Sequence, residues 1–264
     1  MGIRKQIIAV ISVLIVTVTV INAQKVYPVT SGEVIFSLAD IQFKQSFIDE
    51  YPDAELTSNN LRLTLFFHLG EYIHWDMTNN VGLITGIGIR NVGLITDEVL
   101  PVHVGNQELY KNYKIIRREY YTGIPLALKL GSFSDHIFFF GGVEYEFALH
   151  FKEKYWENHK RSGTKYKNSD WFSGKSPAFV PSVFGGVQMP GGVHVKFKYY
   201  LDNFLNDSYT VSRNSEEGAD FSVSDLSRYE KSTIFYISVS WQLSDIYVSK
   251  KDWRKADEVA YNYH

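Results

Sequence analysis

Val193-His194-Val195-Lys196-Phe197-Lys198-Tyr199-Tyr200-Leu201-Asp202 decides the fold of this chain. Val193, Val195, Phe197, Tyr199 and Leu201 alternate with His194, Lys196, Lys198 and Asp202, and a period of two marks a β-strand with one apolar and one polar face. Working outward, the alternation returns at Phe235, Ile237, Val239, Trp241 and Leu243 against Tyr236, Ser238, Ser240 and Gln242. Upstream, Phe139, Val143, Tyr145, Phe147, Leu149 and Phe151 oppose Glu144, Glu146, His150 and Lys152. Leu61, Leu63, Leu65, Phe67 and Leu69 oppose Arg62, Thr64, His68 and Gly70.

Filling between these runs predicts eight strands: Glu33 to Ile41, Leu61 to Asp76, Gly82 to Thr96, Glu119 to Leu130, His136 to Lys152, Ala178 to Met189, Val193 to Asn203, and Thr233 to Leu243. The connections alternate strictly between short and long. Met77 to Val81, Gly131 to Asp135, and Pro190-Gly191-Gly192 are tight turns, whereas 42–60, 97–118, 153–177 and 204–232 are long. That order is expected of an all-β, closed, antiparallel up-and-down transmembrane β-barrel with short periplasmic turns, long external loops and both termini periplasmic. Closure supplies the physical reason, since in hydrocarbon only an edgeless sheet pairs all its backbone groups. A soluble sandwich or lipocalin-like barrel alternates too. Long strands carrying Arg, Lys and Glu opposite the apolar face favour a polar lumen and an outer-membrane location.

Composition agrees. Phe, Trp and Tyr make up 16% of the 264 residues, yet mean hydropathy is only −0.16, as expected when only alternate positions are apolar. A net charge of −2 argues against a nucleic-acid partner, and the absence of cysteine excludes disulfides, thiol catalysis and thiolate metal sites. At the amino end Arg4 and Lys5 precede an apolar run from Ile7, which ends at Ala23-Gln24. The pattern is that of a signal peptide over 1–23 cleaved between Ala23 and Gln24, with a single membrane anchor as the alternative. Residues 24–243 then form the barrel and 244–264 a periplasmic tail.

The run Tyr120-Tyr121-Thr122-Gly123-Ile124-Pro125-Leu126-Ala127-Leu128-Lys129-Leu130, a turn, and Phe138-Phe139-Phe140-Gly141-Gly142-Val143-Glu144-Tyr145 resembles the PorT-like outer-membrane β-barrel family of Bacteroidetes. The likeness in pattern covers most of the mature chain, and the specific motif covers about 25 residues. The resemblance implies an outer-membrane porin-family barrel in the cell envelope and a secretion-system accessory role. The chain departs from many barrels in continuing past Leu243 rather than ending on an aromatic residue.

The residues carry little that resembles catalysis. His68, His74 and Asp76 share a strand face, but His68 and His74 stand about 20 Å apart along it, which leaves only His74 with Asp76 as a metal pair. Gly86-Ile87-Gly88-Ile89-Arg90-Asn91 has the outline of a dinucleotide loop, but lacks the third glycine and the following helix. Gly82, Gly86 and Gly88 are read instead as room inside a narrow barrel, filled by Phe66, Tyr121 or Phe140. Arg62, Arg90, Lys129, Glu144, Glu146, Lys196, Lys198 and Asp202 form the expected interior polar network, which plugs the lumen or, alternatively, lines a narrow channel. Between Lys152 and Lys175, seven basic residues oppose three acidic ones among aromatics. Trp156, Lys160, Arg161, Lys165, Tyr166, Lys167 and Trp171 are therefore the candidate surface-binding residues, suited to lipopolysaccharide phosphates or anionic glycans. The acidic stretch 202–230, with Glu216, Glu217, Asp220 and Asp225, is suited to a cation or to pairing with that basic loop.

The expectation is a non-enzymatic, cofactor-free envelope, surface-interaction or secretion-accessory barrel whose partners are outer-membrane lipids, lipopolysaccharide or envelope proteins. The alternatives are a narrow porin and a lipid-modifying enzyme, the latter needing His103 or another loop group to join a serine and an acid at the rim.

Overall fold

The computed structural model describes residues 25–57, 61–65, 68–104, 107–157, 165–211 and 223–242. The signal segment with Ala23 and Gln24, the tail after Gln242, and Lys160, Arg161, Glu216, Glu217 and Asp220 lie outside those residues. The elements are β1 (Lys25–Phe43), the short helix α1 (Gln45–Glu50), β2 (Glu55–Thr57), β3 (Arg62–Thr64), β4 (Leu69–Asp76), β5 (Val81–Val104), β6 (Gln107–Ser132), β7 (Ile137–Glu157), β8 (Lys165–Trp171), β9 (Phe179–Met189), β10 (Val193–Tyr200) and β11 (Tyr229–Gln242).

All pairings are antiparallel, and β11 pairs with β1 to close the sheet. Around the ring the order is β1, β4, β5, β6, β7, β9, β10, β11, with β2 and β3 continuing the position of β4 toward the far end. Eight wall positions result, one for each predicted strand. The predicted strand Leu61 to Asp76 is broken into β3 and β4, so β5 pairs with β4 only up to Ile89 and with β2 only from Asp97. Two predicted long loops are instead largely strand. β5 and β6 continue to Val104 and Gln107, and β7 continues to Glu157 with β8 paired beside it, so this side of the wall rises well above the other.

The faces are assigned without ambiguity. Outward-pointing Ile124, Leu126, Leu128 and Leu130 on β6 and Ile137, Phe139, Val143 and Tyr145 on β7 are exposed, Phe139 by 68%. Inward-pointing Arg90, Lys129, Glu144, Glu146 and Lys198 are buried to 2% exposure or less. The chain is thus apolar outside and charged inside. From Ile137 to Phe147 the outer face runs ten residue steps of about 3.3 Å, about 33 Å along the strand and about 25 Å at a tilt near 40°, matching the apolar band of membrane barrels. Among the described residues no helix is long and apolar enough to cross a membrane.

One irregularity overturns part of the period-two reading. Across β6 and β7, Tyr120 faces His150 but Tyr121 faces Ala148, so Leu149 is an inserted residue of a β-bulge. A bulge exchanges the faces beyond it. Phe151, expected on the apolar outer face, is fully buried, together with Glu153, while His150, Lys152 and Lys154, of which the first two were expected inside, lie on the outer side.

Candidate functional site

The lumen holds three charge clusters stacked along the axis. In the middle, the carboxylates of Glu33, Glu144 and Glu146 meet the cations of Arg90, Lys196 and Lys198. Arg90 Nε donates to Glu33 at 3.0 Å and its Nη1 to Glu144 and, at 3.1 Å, to Glu146. Lys198 Nζ bridges Glu144 at 2.8 Å and Glu146 at 2.9 Å, and Lys196 Nζ lies 2.7 Å from Glu33. Tyr72 and Ser238 complete the shell, with the Tyr72 hydroxyl accepting from Arg90 Nη2 and Ser238 donating to Glu33. Three negative charges face three positive ones, the balance that makes a buried ionic cluster tolerable.

Toward the termini, Lys129 pairs with Asp76 and contacts the Tyr27 hydroxyl at 3.1 Å and His74 Nδ1 at 3.4 Å. The pair His74 and Asp76, considered above for a metal, thus already faces a lysine cation. His68 is elsewhere, its Nδ1 accepting from the Asn91 amide at 3.1 Å. The space beside Gly82 is taken by the Lys129 side chain and that beside Gly88 by Tyr72 and Arg90 rather than by Tyr121 or Phe140, while Phe66 lies outside the described residues.

Toward the raised rim lies a cluster that the sequence reading did not foresee. Arg117 pairs with Glu153 at 2.6 Å and Glu98 at 3.5 Å, and Arg228 reaches Glu98 at 3.0 Å. Tyr229 donates its hydroxyl hydrogen to Glu98 at 2.5 Å, and the Val223 carbonyl accepts from both arginines. Burial pushes the Glu98 carboxyl up, but Arg228 and Arg117 outweigh it and hold this group below the ordinary carboxylate range. These residues fall in stretches whose polar composition predicts loops. Thr96, Glu98 and Leu100 continue the inward alternation of β5, and that was the signal available.

Apolar side chains close the barrel above this level. Phe43, Phe47, Leu100, Tyr113, Ile115, Phe204, Leu205 and Leu226 form one buried cluster, so α1 and the segments around 204 and 226 fold into the mouth. Lower down, the space among Glu33, Tyr72, His74, Phe140, His194 and Lys196 is only about 50 Å³, room for a water or two rather than a passage.

Of the residues expected inside, two stand apart. Asp202 is exposed in the turn after β10, because that strand ends at Tyr200, and its Oδ1 accepts from the Asn203 amide. Arg62 sits in the wall where β3 and β5 fail to pair. Its Nη2 donates to Asn91 Oδ1 at 2.6 Å and its Nη1 to the Asn91 carbonyl at 3.3 Å, while Ser37 Oγ donates to the Gly93 carbonyl at 3.1 Å. Side chains therefore replace the missing ladder.

Outside this break lies a groove of about 830 Å³. Its cations are Arg62, Arg118, Lys152, Lys154 and Lys165, and among the described residues no carboxylate lines it. Lys165 lies 5.8 Å from the Trp156 ring, and Arg118 lies 5.9 Å from that of Tyr120. Burial and the neighbouring Arg118 hold the Lys152 and Lys154 amines below the usual lysine range. Of the predicted surface-binding residues, Trp156 is buried in this groove and Lys165 lies at its edge. Tyr166, Lys167 and Trp171 are exposed along β8. Asp225 accepts from Ser227, and position 103 lies at the tip of β5 opposite Glu108.

The chain matches no protein-family model and no curated protein. Among solved structures it is similar to Ail, the attachment invasion locus protein of Yersinia pestis, in complex with the heparin analogue sucrose octasulfate. The TM-score is 0.31 and the identity 8%, over 81% of this chain and 97% of that one. Ail solved without the analogue gives a TM-score of 0.30 with the same identity and coverage. So distant a likeness assigns no function to this chain.

Proposed function

We propose that this chain is an outer-membrane β-barrel with a sealed lumen, working in an envelope or surface-interaction role through its raised rim rather than as a conduit or an enzyme. The observation that carries the reading is the inversion of polarity, an exposed apolar band around a charge-balanced interior. A water-soluble barrel with these faces would leave an apolar belt in water around a buried ionic interior. The termini then lie on the periplasmic side and the tall β5, β6, β7 wall outside. Lipopolysaccharide is the lipid that this placement sets against the rim. The secretion-accessory role rests only on the motif shared with PorT-like proteins.

Fractionation of the native host tests the location. The chain is expected in outer membranes, with a folded form whose gel mobility changes on boiling, whereas recovery from the soluble periplasm without such a shift would overturn it. Planar bilayers separate the sealed barrel from a porin. Reconstituted protein is expected to give no steady conductance, because the mouth is filled by the apolar cluster and the interior by the central ion network.

A further inference from the structure

The charges of the three lumen clusters are paired, whereas those in the outer groove are not. No ion pair ties Arg118, Lys152, Lys154 or Lys165 among the described residues, and Arg118 Nε is buried without a hydrogen-bond partner. Clustering unpaired cations costs free energy through mutual repulsion, which an anionic ligand relieves. The groove is too large for a lone phosphate and falls in the range of about 300–1,000 Å³ typical of organic ligands.

Its position narrows the chemistry. The outward residues of β6 change from Ile124 and Leu126 through Tyr120 to Arg118, and those of β7 from Phe147 and Leu149 to Lys152 and Lys154. Tyr120 thus stands where aromatic side chains gather at a membrane surface. Leu63, Leu65, Ile95 and Ile116 form the apolar part of the lining. β5 leaves β4 after Ile89 and meets β2 at Asp97, a change of neighbour at the same level.

We propose that the groove holds the phosphorylated headgroup of an outer-leaflet glycolipid, with Arg118, Lys152 and Lys154 on the phosphates and an acyl chain along Leu63, Leu65, Ile95 and Ile116. This rests on the outer-membrane reading above. The β-bulge at Leu149 is the device that makes the site, since it brings Lys152 and Lys154 outward.

The full chain, refolded in detergent, is first checked for heat-modifiable mobility and then titrated with bisphosphorylated lipid A, with bound lipid counted by native mass spectrometry. The triple variant Arg118→Gln, Lys152→Gln, Lys154→Gln is expected to keep its folded band and bind at least tenfold more weakly, as is lipid A stripped of both phosphates against the wild type. Lys25→Gln, at the opposite end of the wall, is expected to bind like the wild type. Equal binding by the triple variant, or equal binding of the dephosphorylated lipid, overturns the proposal. Displacement of lipid A by millimolar inorganic phosphate overturns it too, by showing a free-anion site. Should the triple variant fail to fold, Lys154→Gln alone is expected to weaken binding about threefold, and no change overturns the proposal. A wild-type chain without a heat-modifiable band fails the barrel reading before any lipid is added, so the two failures are distinguishable.

Discussion

The lumen and the outer groove contain the same residue types in opposite arrangements. Inside, Glu33, Glu144 and Glu146 neutralise Arg90, Lys196 and Lys198 within a few ångströms, every one of them buried. Outside, Arg118, Lys152, Lys154 and Lys165 gather with no carboxylate among the described lining residues. A buried cluster of balanced charge fills space and fixes side chains, and it offers nothing to a visitor. An unbalanced, accessible one is complete only with an anion present. The groove lies farther toward the rim than the central cluster, and the inserted residue Leu149 decides whether Lys152 and Lys154 face it or the lumen.

The largest effect is expected from unbalancing the interior. Arg90→Met leaves three carboxylates facing two lysines, and breaking a buried ionic cluster in this way costs about 3–5 kcal/mol. Urea unfolding of the refolded barrel, followed by gel mobility, is the readout. Adding Glu144→Gln restores the balance at two against two and is expected to recover more than half of the loss. If Arg90→Met unfolds at the wild-type midpoint, the charges are not the filling of this barrel.

A smaller effect is expected at the rim. Glu98→Gln keeps the shape but removes the charge that serves Arg117, Arg228 and Tyr229, a loss of about 2 kcal/mol for hydrogen bonds to an ionised group. The pH dependence has a definite sign. The folded-state pKa of Glu98 lies below its unfolded value, so its contribution is complete above the ordinary carboxylate range and is lost as pH falls through the folded value. The gap between wild type and Glu98→Gln in unfolding midpoint should therefore be wide at neutral pH and narrow in acid. A gap that widens in acid would show that Glu98 is not held by its arginines.

How much of this was legible in the sequence follows from what alternation can and cannot report. Val193 to Leu201 and Phe139 to Phe147 showed two faces, and the strict order of turns and long connections gave eight wall positions. Alternation assumes that every residue advances the pleat by one, so Leu149 misled it. Phe151 was placed outside and Lys152 inside, and the basic groove was invisible as a result. The rim cluster was missed for a different reason. Polar-rich stretches such as 97–118 look like loops, although Thr96, Glu98 and Leu100 keep the period of the strand below them. Unbroken alternation from Leu61 to Leu69 places Arg62 in the lumen, and the gap it fills arises only when β3 and β4 separate.

The gentlest test asks what bathes the outer wall. Glu71 points outward from β4, between Leu69 and Ile73, and its Oε1 accepts a hydrogen bond from Thr30 Oγ1 at 2.7 Å. It is the one carboxylate on the outer face of β4, and a charge facing lipid is destabilising in proportion to its depth. Glu71→Leu is therefore expected to raise the stability of the vesicle-inserted barrel by about 1 kcal/mol, the lost hydrogen bond offsetting part of the gain. In a soluble barrel the same change would add one more leucine to an exposed apolar surface, leave the midpoint unmoved or lower, and promote aggregation. The sign of this small shift, read by urea titration in phosphatidylcholine vesicles, separates a wall facing hydrocarbon from one facing water. It does so without disturbing either the balanced interior or the unbalanced groove.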